Sequence, residues 1–179
     1  ILQYIPLRGL TAETLKKFKM GTKVDPKGQP VSVGFHYPNG KTKVRYLDRK
    51  DFKWEGMGSE PTLYGQDVFP PASSKAITIT EGEFDAAAAY QMLGSSYPAV
   101  SIPNSASARK DCAANFDYLN SFGKIILALD NDEVGKKAAR EIAGLFDYNK
   151  VFVVHFDEMK DSNEYLTKGK DKEFRAAWH

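Results

Sequence analysis

The chain has 179 residues, 42% apolar and 27% charged, with a formal net charge of +2. That suits one ordinary globular domain, or a small module on a larger one, and leaves nucleic-acid binding through bulk basicity without support. No apolar run approaches the roughly 20 residues of a membrane span, no signal-peptide pattern opens the chain, and the lone Cys112 excludes a disulfide framework and a multi-cysteine zinc site. An intracellular, reducing setting is the natural reading.

Residues 1–20 read as a lead-in, in which Thr11 caps a short helix with Leu15 and Phe18 on one face. From Val31 the pattern has period two. Val31, Val33, Phe35 and Tyr37 alternate with small or polar residues, Pro38-Asn39-Gly40 signals a turn, and Lys41, Lys43 and Arg45 follow on alternate positions. This predicts a β-hairpin with one basic face. Gly56 to Pro71 reads as loop, with at most a short strand near Leu63-Tyr64. Ile77–Thr80, Ala99–Ile102, Lys124–Leu129 and Val151–Val154 are predicted strands, and the five consecutive apolar residues within Lys124–Leu129 suit a strand buried on both faces. Between and after them, helices are predicted over Phe84–Leu93, around Arg109–Leu119, over Glu133–Phe146 and over Asp171–Trp178. Strands alternating with helices imply βαβ units, hence an α/β fold with a parallel four-stranded sheet flanked by helices. A boundary near Pro70–Ser74 divides the chain into a small basic mixed α+β subdomain, 1–72, and an α/β domain, 73–179.

The acidic residues fall in an informative pattern. Glu81, Glu83 and Asp85 follow directly on the first α/β strand, with Gly82 allowing a tight strand-to-helix turn. Asp130 and Asp132 follow on the third strand, and Asp161 lies in a loop past the fourth. In a parallel sheet these positions lie at the carboxyl ends of the strands, where such folds build their sites. Several facing carboxylates raise one another's pKa, and a divalent cation resolves the conflict. With oxygen donors only, magnesium or manganese is favoured over zinc. Helix capping explains one acidic residue per helix, Asp132 and Asp85 among them, but not the whole set. His36, His155 and His179 are isolated, and Cys112 reads as a small core residue.

Thr80-Glu81-Gly82-Glu83-Phe84-Asp85 and Leu129-Asp130-Asn131-Asp132 resemble the TOPRIM domain shared by topoisomerases and bacterial-type (DnaG) primases. Ser105-Ala106-Ser107-Ala108, Cys112-Ala113-Ala114-Asn115-Phe116 and Lys160-Asp161-Ser162-Asn163-Glu164 narrow the resemblance. They are similar to the primase half of bacteriophage T7-type primase–helicases, to which the Twinkle helicases are related. Five motifs in family order, over about Phe35 to the C-terminus, make the match specific.

The resemblance implies a nucleotidyltransferase that makes short RNA primers from ribonucleoside triphosphates on a single-stranded DNA template. By it, Glu81 acts as general acid/base or metal ligand, Asp130 and Asp132 are the metal-binding pair, and Asp161 joins the same site. Two magnesium or manganese ions are implied, and no zinc in this chain. Glu83, Asp85 and Asn163 fall in nucleotide- or template-binding motifs. Lys43, Arg45 and Lys53 match the basic motif of the preceding subdomain and would face the acids across a cleft, with Leu63-Tyr64-Gly65 closing that motif. Trp54 and Tyr46 are the aromatic candidates for base stacking.

Ser105 stands where many relatives have glycine. The family's zinc-binding and hexameric helicase domains have no counterpart here, so a core belonging to a longer phage replication protein, acting in the host cytoplasm, is expected. Two other readings fit the acids: a TOPRIM nuclease, and a non-catalytic module that binds single-stranded DNA or positions a helicase.

Overall fold

A computed structural model describes residues 3–179; residues 1 and 2 of the lead-in lie outside them. The first helix, α1 (Ala12–Lys17), starts where the Thr11 hydroxyl accepts the Thr14 N–H, and it buries Leu15 and Phe18. Four strands follow: β1 (Met20–Val24), β2 (Pro30–His36), β3 (Thr42–Tyr46) and β4 (Phe52–Glu55). They form an antiparallel sheet in sequence order. The expected hairpin is β2–β3, with Phe35 opposite Lys43 and Val33 opposite Arg45. β1 and β4 were not anticipated, because Met-Gly-Thr-Lys-Val and Phe-Lys-Trp-Glu mix charge with short alternation. After β4 the chain is irregular until Tyr64, whose backbone exchanges two hydrogen bonds with Ser101, 2.9 and 3.0 Å long.

The second sheet is parallel, in the order β6-β5-β7-β8: β5 (Ala76–Thr80), β6 (Ala99–Ser101), β7 (Lys124–Ala128) and β8 (Val151–Val153). The helices are α2 (Glu83–Met92), α3 (Ala108–Ala114), α4 (Phe116–Asn120), α5 (Glu133–Ala143), α6 (Ser162–Thr167) and α7 (Asp171–Trp178). The single helix expected around Arg109–Leu119 is split at Asn115. Its amide donates 2.9 Å bonds to Asp111 O and Pro61 O, and its backbone leaves helical geometry. The short α6 also escaped notice, although Asp161 and Glu164 carry the spacing of a helix start.

Ile77, Ile79, Ile125 and Leu127 pack on one face of the parallel sheet against α3 and α5. On the other face α2 lies buried between the two sheets, and its run Ala86–Ala89 lets neighbours approach closely. Phe18, Phe35, Tyr64 and Phe84 join the antiparallel sheet to that helix, with Phe35 and Phe84 edge to face at 5.1 Å. The chain runs from β5 to β6 on one side and then crosses to β7 on the other. The carboxyl ends of β5 and β7 therefore flank the crevice where strand order reverses.

Candidate metal and phosphate site

Three carboxylates converge in that crevice. Asp85 comes from the first turn of α2, Asp130 follows β7, and Asp161 is the N-cap of α6, accepting the Glu164 N–H at 2.9 Å. One oxygen from each lies within 4.8 Å of the others. Asp85 is buried and turned inward, its Oδ1 accepting the Asn163 N–H at 2.8 Å and its Oδ2 lying over Gly82. A Cβ on Gly82 would stand 2.7 Å from that oxygen, so the glycine makes room for the carboxylate.

Glu81 borders the three. Its Oε2 accepts the Asp130 N–H at 3.3 Å, and its Oε1 accepts the Ser105 hydroxyl. Ser105 opens a short 3-10 turn after β6, so this loop holds the glutamate from the far side of β5.

Burial is the main reason the Asp130 carboxyl is pushed up to about 8, with the hydrogen bond and charge of Glu81 next and Asp161 after them. Burial, then Asp161 and Asp130, drives Asp85 well above the usual carboxylate range, against the pull of the Asn163 N–H. Raised in this way, Asp85 and Asp130 favour either protons or a cation between them. Their all-oxygen donor set fits magnesium or manganese.

Positive groups face the acids across a cavity of about 230 Å³. Arg45 reaches in from β3, and its Nε is buried with no hydrogen-bond partner among the described residues. Arg8 comes from the lead-in, its guanidinium 4.5 Å from the Phe84 ring centroid. Burial and then Arg45 lower the Arg8 pKa, while Asp85 and Asp161 oppose the shift. Lys160 lies 3.9 Å from Asp130 Oδ2.

The remaining sequence candidates are placed differently. Lys43 Nζ is held by Glu83 Oε1 at 2.9 Å and Pro103 O at 3.0 Å, and the same Glu83 oxygen accepts the Tyr37 hydroxyl at 2.6 Å. Glu83 and Lys43 thus tie the two sheets together beside the cavity. Asp132, expected as a metal ligand, is exposed and outside the cluster. It N-caps α5 through a 2.8 Å bond from the Gly135 N–H, because the chain turns outward there into the helix. Lys53, expected across the cleft, stands opposite Val44 in the ladder and so on the outer face, paired with Glu55 at 2.6 Å. Tyr46 also lies outward, under the Arg49 guanidinium at 3.9 Å. Asn163 serves the site by position, its N–H on Asp85 and its amide donating to Arg8 O at 3.1 Å. Arg8 and the hold of Ser105 on Glu81 were not foreseen, and Asp85, expected at nucleotide or template, joins the carboxylate cluster instead. Ser105 had stood out only as a substitute for glycine.

Gly135 secures Asp130 from behind: a Cβ there would fall 2.1 Å from Asp130 O. Gly135→Ala is therefore expected to displace the Asp130 loop, lowering stability by about 1–3 kcal/mol in urea unfolding and weakening manganese binding in a calorimetric titration. Unchanged manganese affinity would show that the loop absorbs the methyl group without moving Asp130.

A parallel sheet with acids at the carboxyl ends of its central strands defines the class. Residues 78–166 match the sequence profile of the Toprim-like family. The chain is 36% identical over 170 residues to a DNA helicase/primase of Enterobacteria phage T3, covering 92% of this chain and 29% of that protein. The chain thus spans under a third of that relative's length. Its structure resembles the crystallised primase fragment of the bacteriophage T7 primase–helicase, with 34% identity, a TM-score of 0.86 and coverage of 98% of this chain and 74% of that one. A second T7 structure, of lagging-strand DNA polymerase interacting with primase domains bound to an RNA/DNA hybrid and dTTP, matches with 34% identity and a TM-score of 0.84, covering 99% of this chain and 91% of that one. The chain belongs to the family of primase domains of T7-type phage primase–helicases.

Proposed function

We propose that this chain is the catalytic core of a DNA primase, joining ribonucleotides into short primers on single-stranded DNA. One observation carries the reading. The buried Nε of Arg45, without a partner among the described residues, shares a single cavity with Asp85, Asp130 and Asp161. A buried guanidinium nitrogen without a partner calls for an anion, and clustered carboxylates call for a dication. A nucleoside triphosphate bound with its metal meets both demands.

In the overall reaction a ribonucleotide 3′-hydroxyl attacks the α-phosphate of an incoming triphosphate, and pyrophosphate leaves. Asp85, Asp130 and Asp161 would hold magnesium or manganese. A divalent ion there supplies charge neutralisation on the phosphates and a lowered hydroxyl pKa. Arg45 and Arg8 would take phosphate oxygens and orient the triphosphate. Glu81, fixed between Ser105 and the Asp130 N–H, would orient the metal site or receive the hydroxyl proton. In this scheme residues 1–72 supply Arg8 and Arg45, and residues 73–179 supply the acids together with Lys160. Zinc-binding and helicase domains would belong to a longer parent protein, acting in the cytoplasm of a phage-infected host.

Primer synthesis tests the proposal: single-stranded DNA, labelled ribonucleoside triphosphates and magnesium, with Asp130→Ala alongside. The expected result is labelled oligoribonucleotides that vanish in the variant. Degradation of DNA without nucleotides would instead make the chain a nuclease. DNA binding with no synthesis, even after adding a zinc-binding domain in trans, would make it a binding module.

A further inference from the structure

Two exposed aromatic rings stand beside the site: Trp54, a base-stacking candidate from the sequence, and Phe52, which the primase reading leaves without a task. Phe52 and Trp54 are two residues apart on β4, an edge strand, and therefore point to the same face about 6.6 Å apart. Across the ladder they stand opposite Arg45 and Lys43, so theirs is the face turned toward the acidic site. That face is closed by packing over β1 and β2, yet here Phe52 is 48% and Trp54 41% exposed. Edge strands are ordinarily blunted with charge, and paired exposed aromatics beside a cleft mark a binding surface.

The rings are also held in place. The Lys43 ammonium sits 4.7 Å from the Phe52 centroid and 5.7 Å from that of Trp54, and the Tyr37 ring meets Trp54 nearly edge-on at 5.1 Å. Held rings lose little entropy when a flat ligand stacks on them. At one end of the row, Phe52 stands opposite Arg45, which lines the carboxylate cavity. At the other, Trp54 walls a second cavity of about 260 Å³, lined also by Asn39 and Asn104 and by Thr62, whose Oγ1 is buried without a partner among the described residues. The sequence of features is thus a polar pocket, two rings around a cation, and the acidic site.

We infer that Phe52 and Trp54 form a base-stacking track that leads single-stranded template DNA to the carboxylates, with one unpaired base entering the pocket beside Trp54. Aromatic faces accept any base, so the track guides the strand without fixing its sequence. The inference rests on the primase reading for the identity of the strand.

The test is tryptophan emission and affinity during titration with a thymidine oligodeoxynucleotide at low salt, without metal or nucleotide. DNA should quench the emission of the unaltered chain, and that quenching should be absent from Trp54→Phe. Trp54→Phe keeps a ring against Tyr37 and should bind DNA within a few-fold of the unaltered chain. Trp54→Leu and Phe52→Leu should each bind about tenfold or more weakly, the scale of losing one base–aromatic stack, while manganese affinity and melting temperature hold. Emission unmoved by DNA, or leucine variants that bind as tightly as the unaltered chain, would overturn the track. The two readings fail separately. Asp130-dependent synthesis with Trp54-independent binding removes the track alone, and Trp54-dependent binding without synthesis removes the primase reading alone.

Discussion

Asp85→Asn is expected to cut primer synthesis by about 10²–10³-fold, the scale of removing one preorganised electrostatic group, while protecting the metal-free protein from mild alkali. The two effects share a cause. Asp85 and Asp130 have folded-state pKa values above their unfolded ones, Asp130 at about 8, so the folded chain binds more protons than the unfolded chain below that pH. Stability in a chelator is therefore greatest in mild acid and is lost as pH rises from about 4 through the folded value. Asparagine keeps the shape of Asp85, and its amide oxygen can still accept the Asn163 N–H, but it brings no charge to the cluster. Melting curves from about pH 5 to about pH 8.5 should fall less steeply for the variant in EDTA, and millimolar magnesium should flatten the curve of the unaltered protein. An Asp85→Asn protein that made primers at the normal rate would remove Asp85 from the metal site. One that melted lower than the unaltered chain at the alkaline end would contradict the charge argument.

Lys43→Met is expected to cost about 3–5 kcal/mol of stability, because it strands a buried charge. The ion pair with Glu83 has side chains only 12% and 8% exposed, and without the ammonium the Glu83 carboxylate keeps only the Tyr37 hydroxyl. Adding Glu83→Gln should restore much of the loss, since a neutral amide can still accept that hydroxyl. Lys53→Met, on the solvent side of the same sheet, should leave the urea midpoint unchanged, because surface pairs contribute little. If Lys43→Met unfolded at the midpoint of the unaltered protein, the ammonium would be free for triphosphate, and the structural role argued from its two bonds would fall.

The parallel sheet was readable because Ile125–Leu129 is apolar without interruption, as a strand covered on both faces must be, and because Ile77–Thr80 is wholly β-branched. The acids were readable as a group because they follow those strands. Their division of labour was not. Whether Asp85 turns inward depends on α2 being buried on every side, which erases the amphipathic pattern that would orient it. Whether Asp132 turns outward depends on the capping bond at the start of α5. Period two places Lys43 and Arg45 on one face, but only the register of β4 shows that Lys53 is on the other. Arg8 reaches the acids from the far end of the chain, a distance in sequence that no local pattern spans.

The buried α2 has a consequence for the order in which the chain is made. The ribosome releases α1 and the antiparallel sheet before the helix that covers them, so Phe18, Met20 and Phe35 have no lasting cover until residues up to Met92 have emerged. The helix in turn stays without its own cover until α6 and α7 follow from the C-terminal end. A stall in translation after β4 would present newly made aromatic surface to chaperones and to other nascent chains. Slow or rare codons would be tolerated least between β4 and α2.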